Sequence, residues 1–214
     1  MNKAFNLLKK IVMHSKLLSK IALYFKKRLV FFFLIPKSNE NQIVIKESND
    51  IFFEIVTDYS TYLEMCKSFK IPFDENKCLL RFENKCIFYF LRNKTDYLTY
   101  GWSIEGKNSF LIEYLNVRVE IGYNNIILFD FMTNSMHRQK GFYKLILSKI
   151  KTKFIDKPTI IYTAPSNIGS IKGISASGFI DIGIYSKPTI KKMFNRLKTQ
   201  SFNIKKTKSK SFVY

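Results

Sequence analysis

Arg138-Gln139-Lys140-Gly141 sets two cations and a glycine at the opening of a helix-like run, Phe142 to Phe154. A turn of this kind is a physical trap for an anion. The first backbone N–H groups of a helix have no internal partners, and the positive end of its dipole points outward. Arg138 and Lys140 add charge-assisted hydrogen bonds to a phosphate. The chemistry these residues suit is capture of a diphosphate-bearing ligand. About thirty residues on, Asn167-Ile168-Gly169-Ser170 precedes a second helical run that closes on Gly178-Phe179. Each piece by itself is a common turn: a solvated helix start at Arg138, an ordinary helix C-cap at Gly178.

In this order and at this distance the two segments resemble the signature of the GNAT superfamily, the acyl-CoA-dependent N-acyltransferases. Arg138 to Tyr143 is similar to its Arg/Gln-x-x-Gly-x-Gly/Ala pyrophosphate loop. Asn167, Ser170, Ile174 and Gly178-Phe179 are similar to its later Asn-x-x-Ser run, helix and closing Gly-Phe. The resemblance covers most of residues 51–185 and is most specific over 127–143 and 167–179. It implies acetyl-CoA, or another acyl-CoA, as co-substrate. Backbone N–H groups from Gln139 through Lys140, Gly141 and Phe142 to Tyr143 would then grip the pyrophosphate, with Arg138 and Lys140 adding charge. The strand edge near Met132 and Thr133 would pair with pantetheine and polarise the thioester carbonyl. Asn167 and Ser170 would contact the CoA arm, a role compatible with Asn167 as a helix cap. Asp130-x-x-Thr133, the Gly-Phe-Tyr end of the loop and Tyr100-Gly101-Trp102 resemble a subgroup acting on sugars or envelope glycans. That places an amino sugar or glycan precursor as the favoured acceptor, with a protein or peptide amine as the second choice. A third reading, from a different class, is a non-catalytic membrane-peripheral protein with a degenerate fold.

Direct transfer needs the amine to lose a proton and the departing thiolate to be stabilised. Many relatives carry a Glu where this chain has Ile127. Asp130 is the nearest ionisable residue on that strand. In an apolar run it would be desolvated and its pKa raised; equally, it would serve to fix the loop by accepting backbone hydrogen bonds. Glu105 and Glu113 are further candidates for the base. The tyrosine that relatives place before the closing Gly-Phe is Ile174 here, so Tyr143, Ser175 or solvent would protonate the thiolate. Tyr100 and Trp102 would line the acceptor groove, or lie in the core under a strand. His137 is read as packing or adjacent to CoA.

The elements that must position these residues follow from periodicity. Asn125 to Thr133 is a nearly continuous apolar run, suited to a central strand. The pattern predicts strands at 51–56, 109–120, 159–163 and 179–185, and a pair at 78–91 and 97–105 joined by a turn at Asn93-Lys94-Thr95-Asp96. Helices are predicted over 58–69, 142–154 and from Asn167 to near Gly178. This is a mixed α/β (α+β) pattern, and the GNAT-like fold is what the resemblance implies. Three units are expected: a basic N-terminal helix over 1–37, the acyltransferase domain over 38–186, and a mobile basic tail over 187–214.

The charge is unevenly placed. Of a formal net charge of +20, nine Lys/Arg fall in residues 1–37 and nine in 187–214, neither segment holding an Asp or Glu. The intervening region is near neutral. Leu7, Ile11, Leu18, Ile21, Phe25 and Leu29 fall on one face of a helix, with Lys9, Lys16, Lys20 and Lys27 opposite. Such a helix suits an anionic membrane surface or packs on the core with its lysines in water. The Leu29–Ile35 run is too short to span a bilayer, and no recognisable nucleic-acid-binding module accompanies the charge. Cys66, Cys78 and Cys86 form no CxxC pair, and only two histidines are present, so a zinc site is not expected. The cysteines are expected in the core, reduced, in a cytoplasmic protein, with the arms drawing it to the inner membrane face. Oligomeric state is left open.

Overall fold

Alternating faces organise the molecule around one sheet. A computed structural model describes residues 28–34, 50–106, 109–120, 125–154, 156–186, 189–190 and 192–193. The strands of its large sheet are β1 (Arg28–Leu34), β2 (Phe52–Val56), β3 (Ile87–Arg92), β4 (Tyr97–Glu105), β7 (Ile126–Thr133), β8 (Thr159–Thr163) and β9 (Ile180–Ser186). They lie in the order β2-β3-β4-β7-β8-β1-β9. The pair β7–β8 is parallel and the other neighbours are antiparallel. A separate two-stranded ribbon, β5 (Ser109–Ile112) and β6 (Val117–Glu120), is joined through a 3-10 turn at Glu113–Leu115.

Successive residues of a strand point to opposite faces, and the core divides accordingly. Ile127 and Phe129 of β7 join Phe88, Phe90, Trp102 and Ile160 on one face. That face is covered by α1 (Tyr59–Phe69), α2 (Glu75–Glu83) and the β5–β6 ribbon. Ile126 and Leu128 join Tyr89, Leu91 and Ile161 on the other, under α3 (Phe142–Lys153) and α4 (Ile168–Ala176). The chain is thus mixed α/β with a mixed sheet, as the sequence pattern indicates. Asp58, Asp74 and Asn167 cap α1, α2 and α4 by accepting N–H groups of Thr61, Lys77 and Ser170.

Three expectations change. Residues 75–83, where the pattern predicts the first part of a strand from Cys78, form α2. Cys78 and Phe82, one turn apart, pack inward from it, and only Ile87–Arg92 pairs with β4. Residues 28–34, expected as the end of a helical arm, form β1 between β8 and β9. Residues 1–27, the rest of that predicted helix, lie outside the described residues. The sequence from Lys187 is expected to leave the fold as a tail. Instead Ile190 and Met193 are buried in the α1–α2 face. The predicted mobile stretch beyond Arg196 is not among the described residues. The three cysteines are free and buried.

Candidate active site

The parallel β7–β8 ladder holds for three pairs only, from Ile126–Thr159 to Leu128–Ile161. Both strands run on, β7 to Thr133 and β8 to Thr163, without further pairing to each other. The cause lies on the other side of β7. Its register with β4 jumps between Trp102–Phe129 and Tyr100–Met132, so Asp130 and Phe131 together oppose Gly101. Asp130 adopts φ +50°. A bulge of this kind bends and twists its strand, and β7 then follows β4 rather than β8. Gly101 is required there: a Cβ on it would stand 2.3 Å from the Phe131 ring.

The bend leaves a strand edge without a partner strand. Asn134 N–H donates to Leu98 O at 3.1 Å, which fixes the antiparallel alternation. Met132 turns its main chain toward β4, while Phe131 and Thr133 turn theirs toward the gap. Thr133 O accepts from Arg138 Nε at 3.5 Å, and Thr133 Oγ1 donates to Thr99 Oγ1 at 3.2 Å. The free edge expected near Met132 and Thr133 is therefore presented by Phe131 and Thr133. The Met132 side chain is exposed, its sulfur accepting from the Tyr100 hydroxyl.

At the mouth of the gap stands the basic turn. Arg138, Gln139, Lys140 and Gly141 are all exposed. Gln139 (φ +63°) and Gly141 (φ +83°) are left-handed, a geometry that turns successive N–H groups to one side. Gly141 caps α3 with no side-chain hydrogen bond. Leu145 N–H is bonded to Gly141 O, so the N–H groups of Phe142, Tyr143 and Lys144 precede the first helical bond. Lys140 Nζ lies 3.5 Å from His137 Nδ1, and His137 Nε2 lies 3.6 Å from Asp96, which ties the turn to the β3–β4 hairpin. Asn167 is a helix cap, Oδ1 accepting from Ser170 N–H at 3.1 Å.

Tyr143 sits between α3 and α4. Its hydroxyl bonds Ser170, burial holds it protonated well above the usual tyrosine range, and its ring lies against Phe131 and Gly173. Ile174 is fully buried, and Ser175 is exposed.

The α2 side of the gap holds a charge cluster that the sequence shows only in part. Asp130 pairs with Arg81 of α2, and lies 3.4 Å from Lys77. Glu113 pairs with Lys77 at 2.7 Å and lies 3.9 Å from Arg81. Arg81 stacks over the Trp102 and Phe129 rings. Asp130 and Glu113, far apart in sequence, thus share two cations. The apolar wall expected around Asp130 is absent, because the bulge turns its carboxylate out of the strand's apolar run. Lys77 and Arg81 escape the sequence analysis because the alternation over 78–91 predicts a strand where α2 lies. The i, i+4 spacing of two cations after the Asp74 cap is the signal that could have found them. Tyr162, also missed, comes from the end of β8. Burial raises its hydroxyl pKa, and Asp130 and Glu113 raise it further.

Glu105 is not part of this site. It faces Ile126 at the opposite end of β7 and pairs with Lys157. Trp102 lines no groove: at 1% exposure it is packed among Tyr62, Phe82 and Phe88. Tyr100 is 8% exposed, and burial moves its hydroxyl to about 12. No group of metal-ligating residues occurs among the described residues. None of their helices is long and apolar enough to cross a membrane.

No family model and no curated protein matches the chain. Solved structures similar to it include a GNAT-family acetyltransferase from Colwellia psychrerythraea, at 15% identity and TM-score 0.46 over 73% of this chain and 53% of that one. A GCN5-related N-acetyltransferase from Kribbella flavida matches at 9% identity and TM-score 0.47, over 74% and 56%. A functionally unknown conserved protein from Staphylococcus epidermidis matches at 10% identity and TM-score 0.48, over 74% and 59%. The chain spans little more than half the length of these structures.

Proposed function

We propose that the protein is an acyl-CoA-dependent N-acyltransferase, using acetyl-CoA, whose favoured acceptor is an amino sugar or glycan precursor. The observation that carries this is the parting of β7 from β8 beside an exposed, uncapped helix start flanked by two cations. The residues fit the co-substrate. N–H groups from Gln139 to Tyr143, with Arg138 and Lys140, meet a diphosphate; the Phe131–Thr133 edge offers amide hydrogen bonds to pantetheine. The acceptor amine enters from the α2 side, where Asp130 and Glu113 attract its ammonium form and take its proton, directly or through water. The amine nitrogen then bonds the thioester carbon, the C–S bond breaks, and sulfur takes a proton from a tyrosine hydroxyl or solvent. Arg81 and Lys77 suit an acceptor that also bears phosphate or carboxylate.

Isothermal titration with acetyl-CoA tests the reading, with binding expected and weakened at least tenfold by Arg138→Ala/Lys140→Ala. Thiol release should rise on adding amino sugars. A rise with peptides alone moves the acceptor to a protein or peptide amine. Absence of acetyl-CoA binding to the folded chain rejects the enzyme and favours the non-catalytic alternative. The involvement of Asp130 with two cations gives that alternative its one structural support.

A further inference from the structure

Lys77 holds the place that an incoming amine needs. It stands in the first turn of α2, across from the bulge at which β7 bends away from β8. Its ammonium lies 2.7 Å from Glu113 and 3.4 Å from Asp130, the two carboxylates that the proposed reaction gives to the acceptor's ammonium. Asp130 is followed directly by Phe131, on the free strand edge. Arg81 shares both carboxylates but is held differently: its side chain is 12% exposed and stacked over Trp102 and Phe129. A guanidinium does not give up its proton in a protein, so Arg81 is no nucleophile. The Lys77 side chain is 35% exposed, on a flexible four-carbon stem, and an amine that loses its proton attacks an acyl carbon. Lys157 gives the contrast. Its side chain is 40% exposed and also paired with a carboxylate, Glu105, at the far end of β7. Exposure and an acidic partner are common to both lysines; nearness to the gap distinguishes Lys77.

We propose that Lys77 is a self-modification site: with acetyl-CoA in the gap, the chain acetylates its own Lys77 Nζ. This rests on the acyl-CoA-dependent function proposed above. Nζ passes a proton to Glu113 or Asp130, its electron pair bonds the thioester carbonyl carbon, and the C–S bond breaks with the bonding pair leaving on sulfur. The nitrogen sheds two protons in all, one ending on sulfur and the other in solvent. Each chain thus gains one acetyl group and releases one CoA thiol. The amide that forms carries no charge and makes no ion pair. Asp130 and Glu113 then keep Arg81 and lose Lys77, so the acceptor side of the gap turns more acidic. Its attraction for a phosphate or carboxylate on the acceptor falls, and its attraction for the ammonium rises. Acetylation of Lys77 therefore retunes which acceptors the gap takes.

The test incubates the full chain, first cleared of acetyl-lysine by a deacetylase, with isotope-labelled acetyl-CoA. Peptide mass mapping follows the label at Lys77 and at Lys157, and titration of the same preparation reads acetyl-CoA binding. Label is expected on Lys77 at least tenfold faster than on Lys157, with a half-time independent of protein concentration, as transfer within one chain requires. Glu113→Gln/Asp130→Asn should slow labelling of Lys77 at least tenfold and change that of Lys157 less than twofold, with a thermal melt matching the parent. If that variant melts early, Arg138→Ala/Lys140→Ala takes its place, raising the acetyl-CoA concentration for half-maximal labelling of Lys77 at least tenfold and leaving Lys157 unchanged. Equal labelling of the two lysines, a half-time that shortens in proportion to protein concentration, or undiminished labelling of Lys77 in a folded variant overturns the proposal. Binding of acetyl-CoA with Lys77 unlabelled also overturns it and leaves the acyltransferase function standing, whereas absence of binding rejects both.

Discussion

Asp130 occupies a left-handed backbone position, φ +50°, that asparagine tolerates as well as aspartate. Asp130→Asn therefore removes the charge while keeping the bulge. If the carboxylate takes the amine proton, kcat/KM should fall about 10²–10⁴-fold while acetyl-CoA affinity stays within twofold; an unchanged rate would leave Asp130 the loop-fixing role. The two tyrosines divide the other proton transfer. Tyr143 bonds Ser170 on the α4 side, and Tyr162 faces the Asp130 side. Burial raises both hydroxyls above the ordinary value of 10.0, so both remain acids across the neutral range. Tyr143→Phe should lower kcat with KM for acetyl-CoA unchanged if that hydroxyl protonates sulfur, and Tyr162→Phe should then be near neutral. The reverse pattern assigns the proton to Tyr162. Neither hydroxyl should produce a basic limb in the pH–rate profile below about pH 10, since each loses its proton only above its raised pKa.

At the scale of elements, the bend in β7 depends on a missing side chain. A methyl group at Gly101 would stand 2.3 Å from the Phe131 ring, which makes Gly101→Ala an overpacking change, costing about 1–3 kcal/mol. It should also weaken acetyl-CoA binding, because Phe131 lies on the free edge. Gly101→Ala/Phe131→Leu should recover most of the thermal stability, and failure to recover would place the constraint in the backbone. The sequence shows much of this frame. The 125–133 run, the turn at 138–141 and the Asn167 cap are local patterns, and each element forms where its periodicity places it. The bulge leaves no such mark, because it comes from register against β4, and Gln139 reads as an ordinary polar residue although it sits at φ +63°. α2 is hidden because Cys78 to Phe82 alternates well enough for a strand. What decides it is Asp74 accepting Lys77 N–H at 3.1 Å and the left-handed Lys85 that reverses the chain before β3. With a strand expected in place of α2, the cluster of Lys77 and Arg81 around Asp130 and Glu113 cannot be assembled from sequence.

For the whole molecule, buried acids and one long-range strand set the limits of stability. Burial pushes the thiols of Cys66 and Cys86 from an ordinary 9.0 to about 11. The unfolded chain then releases these protons before the folded one, so stability is full below pH 9 and falls as pH rises toward 11. Melting temperature should drop between pH 8.5 and 10.5, less steeply in Cys66→Ala/Cys86→Ala; an equal slope would trace the alkaline loss to the tyrosines. The second limit is β1. It pairs with β8 over five register positions and with β9 over six, and buries Phe31 completely. No local pattern predicts that pairing: the 29–34 run is apolar enough for a strand, but its partners stand more than 120 residues away in the sequence. Without β1, the edge of β8 and the inner edge of β9 lose their ladder, and unpaired strand edges invite aggregation. A protein starting at residue 38 should therefore lack a cooperative melt or collect in the insoluble fraction. One starting at residue 28 keeps both ladders and should melt cooperatively within a few degrees of the full chain and bind acetyl-CoA as the full chain does. Cooperative folding of the 38–214 chain would show that β1 is dispensable, and that the β8–β9 gap can be closed by another segment.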